Sequence, residues 1–186
     1  MLFLRILRKT QMNSKIFSIF YRPVSLLGYL LFLILLGDSS ASYAVYCVPS
    51  HPACGAGSNI TDVSIASTTL SNTGTGCTSF NGAAYSIYPA TGSTTATFIA
   101  GNSYQLSVTS DGVSIISVWI DFNQNQVFES SEWTQVTTAS VANFPSVVNV
   151  IIPSTAQTGT TGMRIRSRVN GTPNSGIDAC TTFGSG

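Results

Sequence analysis

Lysine is absent beyond Ala44, histidine occurs once, at His51, and only 8% of the 186 residues are charged. From Val45 onward Arg164, Arg166 and Arg168 face Asp62, Asp111, Asp121, Glu129, Glu132 and Asp178, a net charge of −3. Three cations cannot neutralise many phosphates, which excludes nucleic-acid binding. The four cysteines form no C-x-x-C pair, and with a single histidine the usual Cys/His zinc site has no ligand set. No glycine-rich loop leads from a strand into a helix, so nucleotide chemistry has no support. Catalytic groups are equally scarce: His51 stands between Pro49 and Pro52 in a turn, and Glu129 with Glu132 could pose as a carboxylate pair. The sequence does not read as an enzyme.

What basic charge there is crowds the start. Arg5, Arg8, Lys9, Lys15 and Arg22 precede an apolar run over 26–36, followed by the small residues Ser39, Ser40, Ala41, Ser42 and Ala44. A basic n-region, a short h-region and a Ser42-x-Ala44 site describe a secretory signal peptide over residues 1–44, cleaved after Ala44. The apolar run is shorter than the roughly 20 residues of a bilayer span. Residues 45–186 are therefore expected to be secreted or displayed at the cell surface, with no membrane segment after cleavage. In that oxidising setting Cys47, Cys54, Cys77 and Cys180 read as two disulfides, and the count alone leaves three connectivities open.

Beyond the leader no helical apolar stripe is found. Short alternating runs recur instead, separated by Gly, Asn, Ser and Pro. The clearest lie at 104–109, 114–121, 147–152 and 163–169, with weaker ones at 61–65, 83–88, 95–99 and 134–138. Seven to nine short strands at this spacing predict an all-β fold, an antiparallel sandwich or jelly roll. Trp119 falls in a buried strand pattern. Arg164, Arg166 and Arg168 share one strand face, expected to be solvated or paired with carboxylates such as Glu129 or Asp178.

The segment 121–132 is chemically the most distinctive. Counted from Asp121, side-chain oxygens fall at positions 1 (Asp121), 3 (Asn123), 5 (Asn125), 9 (Glu129) and 12 (Glu132), and Val127 at position 7 offers its carbonyl. Calcium loops space their ligands this way, because alternate residues of a tight turn point at one cation. Asp121, Asn123, Asn125, Val127 and Glu132 are the predicted Ca2+ ligands. Gln126 occupies position 6, where such loops usually carry Gly. With two neutral Asn ligands the affinity is expected in the range of about 10⁻⁴–10⁻³ M.

Several ordered motifs carry a family resemblance. Tyr46-Cys47 comes first; Trp119, Ile120, Asp121, Asn123, Asn125 and Phe128 fit W-I-D-x-N-x-[DN]-x-x-F; Met163-Arg164-Ile165-Arg166 fits M-R-[VI]-R; Asn170-Gly171 follows; and Cys180, Phe183 and Gly186 fit the start of C-x-x-F-x-x-G-E-V-E-D-Y. Over residues 45–186 the chain resembles the GEVED domain, a module of secreted bacterial proteins. It departs from the pattern at Ile87, where Asp is common, and at Gly186, the first letter of the signature. The resemblance thus implies a β-sandwich lacking its final strand, with Cys47 bonded to Cys180 and Cys54 to Cys77. It also implies a non-catalytic accessory or adhesion-type module, whose partner would be a surface protein or a glycan. A carbohydrate-binding module is the alternative, with Trp133, Tyr85 and Tyr88 as stacking rings.

Overall fold

The computed structural model describes residues 1–9, 46–49, 58–76, 79–80, 83–169, 171 and 174–182. Among these residues the secondary structure is all β, with three short 3₁₀ turns. One sheet has the order β6 (Thr95–Ile99), β1 (Leu2–Leu7), β11 (Gly159–Val169), β8 (Ser114–Ile120), β9 (Trp133–Thr137). The second runs β10 (Pro145–Ile151), β7 (Ser103–Ser110), β2 (Ile60–Ile65), β3 (Ser71–Thr73). A separate small hairpin pairs β4 (Ser79–Phe80) with β5 (Ala83–Ala84).

The sandwich follows from period-two patterning. On β8, Ile116, Val118 and Ile120 enter the core, joined by Met163 of β11, Leu106 and Val108 of β7, Val63 and Ile65 of β2, and Phe98 of β6. Pro145, which cannot donate a ladder hydrogen bond, opens the edge strand β10. The strongest alternating runs thus become strands close to their expected bounds. The run at 83–88 yields only Ala83–Ala84 as strand.

Two features differ from the sequence reading. The first is β1. Leu2, Leu4 and Ile6 are buried in the main core while Arg5 and Leu7 are exposed, so a stretch read as part of a leader alternates as a strand does. Met1–Lys9 belongs to the same compact unit as the domain that follows residue 44. Its pairing with β6 is parallel, the one parallel pair in an otherwise antiparallel pair of sheets among the described residues.

The second is the arginine row. Arg164 and Arg166 are buried, not solvated, because the outer face of the five-stranded sheet is covered by residues 46–49 and 174–182. Under that cover lies Trp119, whose indole N–H donates to the Gly176 carbonyl at 2.8 Å, and a disulfide between Cys47 and Cys180, with Cα atoms 5.9 Å apart, joins the two covering segments. That bond joins the pair which the resemblance implied. Gly176 is glycine because a Cβ there would lie 2.7 Å from the Ser130 backbone. Cys54 and Cys77 lie outside the described residues, as does His51.

Candidate functional site

The loop after β8 begins where the strand ends. Asp121 is fully buried, its amide still bonded to the Gly162 carbonyl of β11, and its carboxylate turns back into the loop. Oδ1 accepts from the Asn125 amide at 3.2 Å and Oδ2 from the Gln126 amide at 3.0 Å. Two Asx turns follow: Asn123 Oδ1 accepts from the Asn125 amide at 3.0 Å, and Asn125 Oδ1 from the Val127 amide at 2.8 Å. Gln124 and Gln126 have φ of 55° and 68°. Gln126 therefore adopts the left-handed backbone that glycine would otherwise supply at the sixth position.

The far end of the loop is fixed by Glu132. Its Oε1 accepts from the amides of Phe122 at 2.7 Å and Asn123 at 3.4 Å, and its Oε2 from Glu129 at 3.1 Å. Burial pushes the Glu132 carboxyl above its ordinary value, with the nearby Asp121 charge adding to the rise, while the amides of Glu129 and Phe122 pull the other way. Glu129, exposed, accepts from the side-chain amides of Asn123 at 3.1 Å and Asn125 at 3.0 Å.

The structure thus brings Asp121, Asn123, Asn125 and Glu132 together, with Glu129 as a fifth oxygen-bearing residue. Val127 is present through its amide, and its side chain is exposed. The carboxylates of Asp121 and Glu132 are engaged with the loop's own amides. Among the described residues no group of three or more His, Cys, Asp or Glu side chains converges as a metal site. The donor chemistry suits a hard cation, but the Asn amide groups turn their nitrogens, not their oxygens, toward Glu129.

Behind the loop lies a cluster that local sequence gave no reason to assemble. The Tyr46 ring stacks on Phe128 at 4.7 Å, and its hydroxyl donates to Asp121 Oδ2 at 2.8 Å while accepting from the Gly162 amide at 2.9 Å. Burial is the main cause that pushes this phenol up to about 12. A Cβ on Gly162 would come within 2.6 Å of the Tyr46 ring, so this residue keeps β11 open to the phenol. The Arg164 guanidinium lies over Phe128 at 4.8 Å and over Tyr85 at 5.3 Å. It donates to the Cys47 carbonyl, to the Ala179 carbonyl at 2.8 Å and to the Tyr85 hydroxyl at 3.0 Å. Arg166 likewise donates to the carbonyls of Asp178 and Thr181, and burial together with Arg164 lowers it to about 10. The only signals for this cluster were the Tyr46-Cys47 pair and the M-R-I-R run.

A family model described as GEVED domain matches residues 115–186. Residues 115–186 are thus similar to that family. The matched segment begins in β8 and contains the acidic loop, β9, β10, β11 and Cys180. Tyr46 and Cys47 lie outside the matched segment and reach it through the disulfide and the bond to Asp121. No curated protein and no solved structure matches the chain. Of the rings considered for sugar stacking, Tyr85 is buried with its hydroxyl bonded to Arg164, while Tyr88 and Trp133 are half-buried.

Proposed function

We propose that the chain is an exported, non-catalytic accessory module that contacts a surface protein and takes one Ca2+ ion weakly in the loop 121–132. The observation supporting the calcium reading is the loop backbone: position six is left-handed, and the first carboxylate accepts from the amides of positions five and six. Asp121, Asn123, Asn125 and Glu132 would supply side-chain oxygens and Val127 its carbonyl, a donor set of the kind calcium takes. Entry of the ion requires Asn123 and Asn125 to turn their amide oxygens toward the position now facing Glu129. That reorganisation is consistent with a Kd of about 10⁻⁴–10⁻³ M.

The non-catalytic reading is supported by the GEVED match and by the engagement of Glu129 and Glu132 in the loop's own hydrogen bonds. Sugar stacking needs a flat, exposed ring. The covering of Tyr85 and partial covering of Tyr88 and Trp133 favour a protein partner over a glycan. Export rests on the pattern of residues 1–44.

The test is a thermal melt of the full chain, disulfides intact, in EDTA and in ~5 mM Ca2+, a concentration above the weak Kd expected. A rise of several degrees is expected, abolished by the double variant Asn123→Ala, Asn125→Ala, which leaves both inner carboxylates in place. Identical melts would remove calcium from the reading and leave the loop as a turn closed by its own hydrogen bonds.

A further inference from the structure

Strand β1 sits between two strands to which no hairpin joins it. Residues 10–45 separate it from the next described part of the chain, and it pairs in five-residue registers on both sides, antiparallel to β11 and parallel to β6. Strand β6 has no other neighbour in the sheet, so β1 alone holds it to β11. Without β1, a gap about 10 Å wide, two strand spacings, would separate β6 from β11, each with an open row of amides and carbonyls. Its floor would be the core that Leu2, Leu4 and Ile6 now fill.

The Met1 end of this gap lies beside the buried Arg164 guanidinium. The Met1 amine donates to the Ser86 carbonyl, and burial with the neighbouring Arg164 lowers it to about 5, which leaves it uncharged near pH 7. The hydrogen bonds of Arg164 go to carbonyls, a hydroxyl and sulfur. Beside them is a cavity of about 130 Å³, lined among others by Met1, Tyr85, Tyr88, Arg164 and Arg166. A buried guanidinium held by neutral groups is costly unless an anion joins it.

We infer that the space between β6 and β11 is a strand-acceptor groove for an extended segment of a partner protein, one with large aliphatic side chains at three alternate positions and an acidic residue at the end beside Arg164. Leu2–Leu7 is its occupant while the chain keeps residues 1–44. This rests on the export reading above: removal of those residues takes β1 away and frees the groove. Backbone pairing to both edges supplies affinity, alternate apolar pockets supply register, and the carboxylate replaces the buried amine as the neighbour of Arg164.

The experiment starts from the full chain with a site-specific protease site inserted within residues 10–44. After nicking, a fluorescent peptide of residues 1–9 is added in three forms: free amine; acetylated with Met1→Glu; and acetylated with Met1→Glu and Leu4→Asp. Saturable binding at one peptide per domain is expected for the first two, the acidic form at least several-fold tighter, and none for the third at tenfold higher concentration. A second measurement avoids nicking: Leu4→Asp in the intact chain should lower the melting temperature, and the acidic peptide in trans should restore it. Equal binding of all three peptides, failure of the acidic form to outbind the free amine, or absence of both binding and rescue would overturn the groove. Sequencing the N-terminus of exported protein tests cleavage separately, and an intact Met1 there would defeat the removal of residues 1–44 without touching peptide exchange.

Discussion

The Tyr46 hydroxyl lies 2.8 Å from Oδ2 of Asp121, across 75 residues of sequence, and this bond ties the start of the domain to the root of the acidic loop. It also accepts from the Gly162 amide. Tyr46→Phe keeps the ring on Phe128 but leaves a buried amide without an acceptor and a buried carboxylate short of one donor. A loss of about 1–3 kcal/mol is expected in urea unfolding, with no change in m-value. A smaller effect would mean that water replaces the phenol.

Glu132 accepts from three backbone amides, so Glu132→Ala should release Phe122, Asn123 and Glu129 together. The expected cost is about 3 kcal/mol, with faster amide hydrogen exchange at those three positions and little change in β10. Exchange that stays slow at Phe122 would show that the turn holds without its carboxylate.

The Met1 amine gives a pH dependence. Its value is 8.0 when unfolded and about 5 when buried, so between these limits the unfolded chain holds more protons. Stability should therefore rise as pH goes from about 5 to about 8 and level off beyond either limit as far as this group is concerned. The comparison is the full chain, made without export, against the same chain acetylated at its amino terminus. The acetylated chain should lack this slope, and parallel curves would place the amine in water.

Cys47 and Cys180 close a loop with a sequence separation of 133. Reduction, or Cys47→Ser with Cys180→Ser, should cost up to about 5 kcal/mol through loop entropy. Arg164 bonds to both sulfurs and to the Cys47 carbonyl, so loosening should extend to Tyr85. Denaturant titration with and without reductant measures the first effect, and exchange at Tyr85 the second.

Where large apolar side chains recur at every second position, the sequence was enough. β7 and β8 come from Leu106, Val108, Ile116, Val118 and Ile120, and the oxygen spacing of 121–132 marked a loop that does gather Asp121, Asn123, Asn125 and Glu132. The misreadings come from long-range cover. Arg164 and Arg166 looked solvent-facing because nothing local reveals that residues 46–49 and 174–182 lie over them. The alternation of Leu2, Leu4 and Ile6 was masked by the basic, apolar leader pattern that contains it. Tyr46 carries no local mark of its contact with Asp121, which forms only once β11 brings Gly162 alongside.

The Cys47–Cys180 clasp also has a mechanical consequence. Tension entering on the N-terminal side of Cys47 and leaving past Cys180 passes through the sulfur bridge, and residues 48–179 stay slack. Strand β1 lies upstream of that bridge and is the part of the fold that feels the pull. Under load the sandwich would be spared and its one unclasped strand drawn out first.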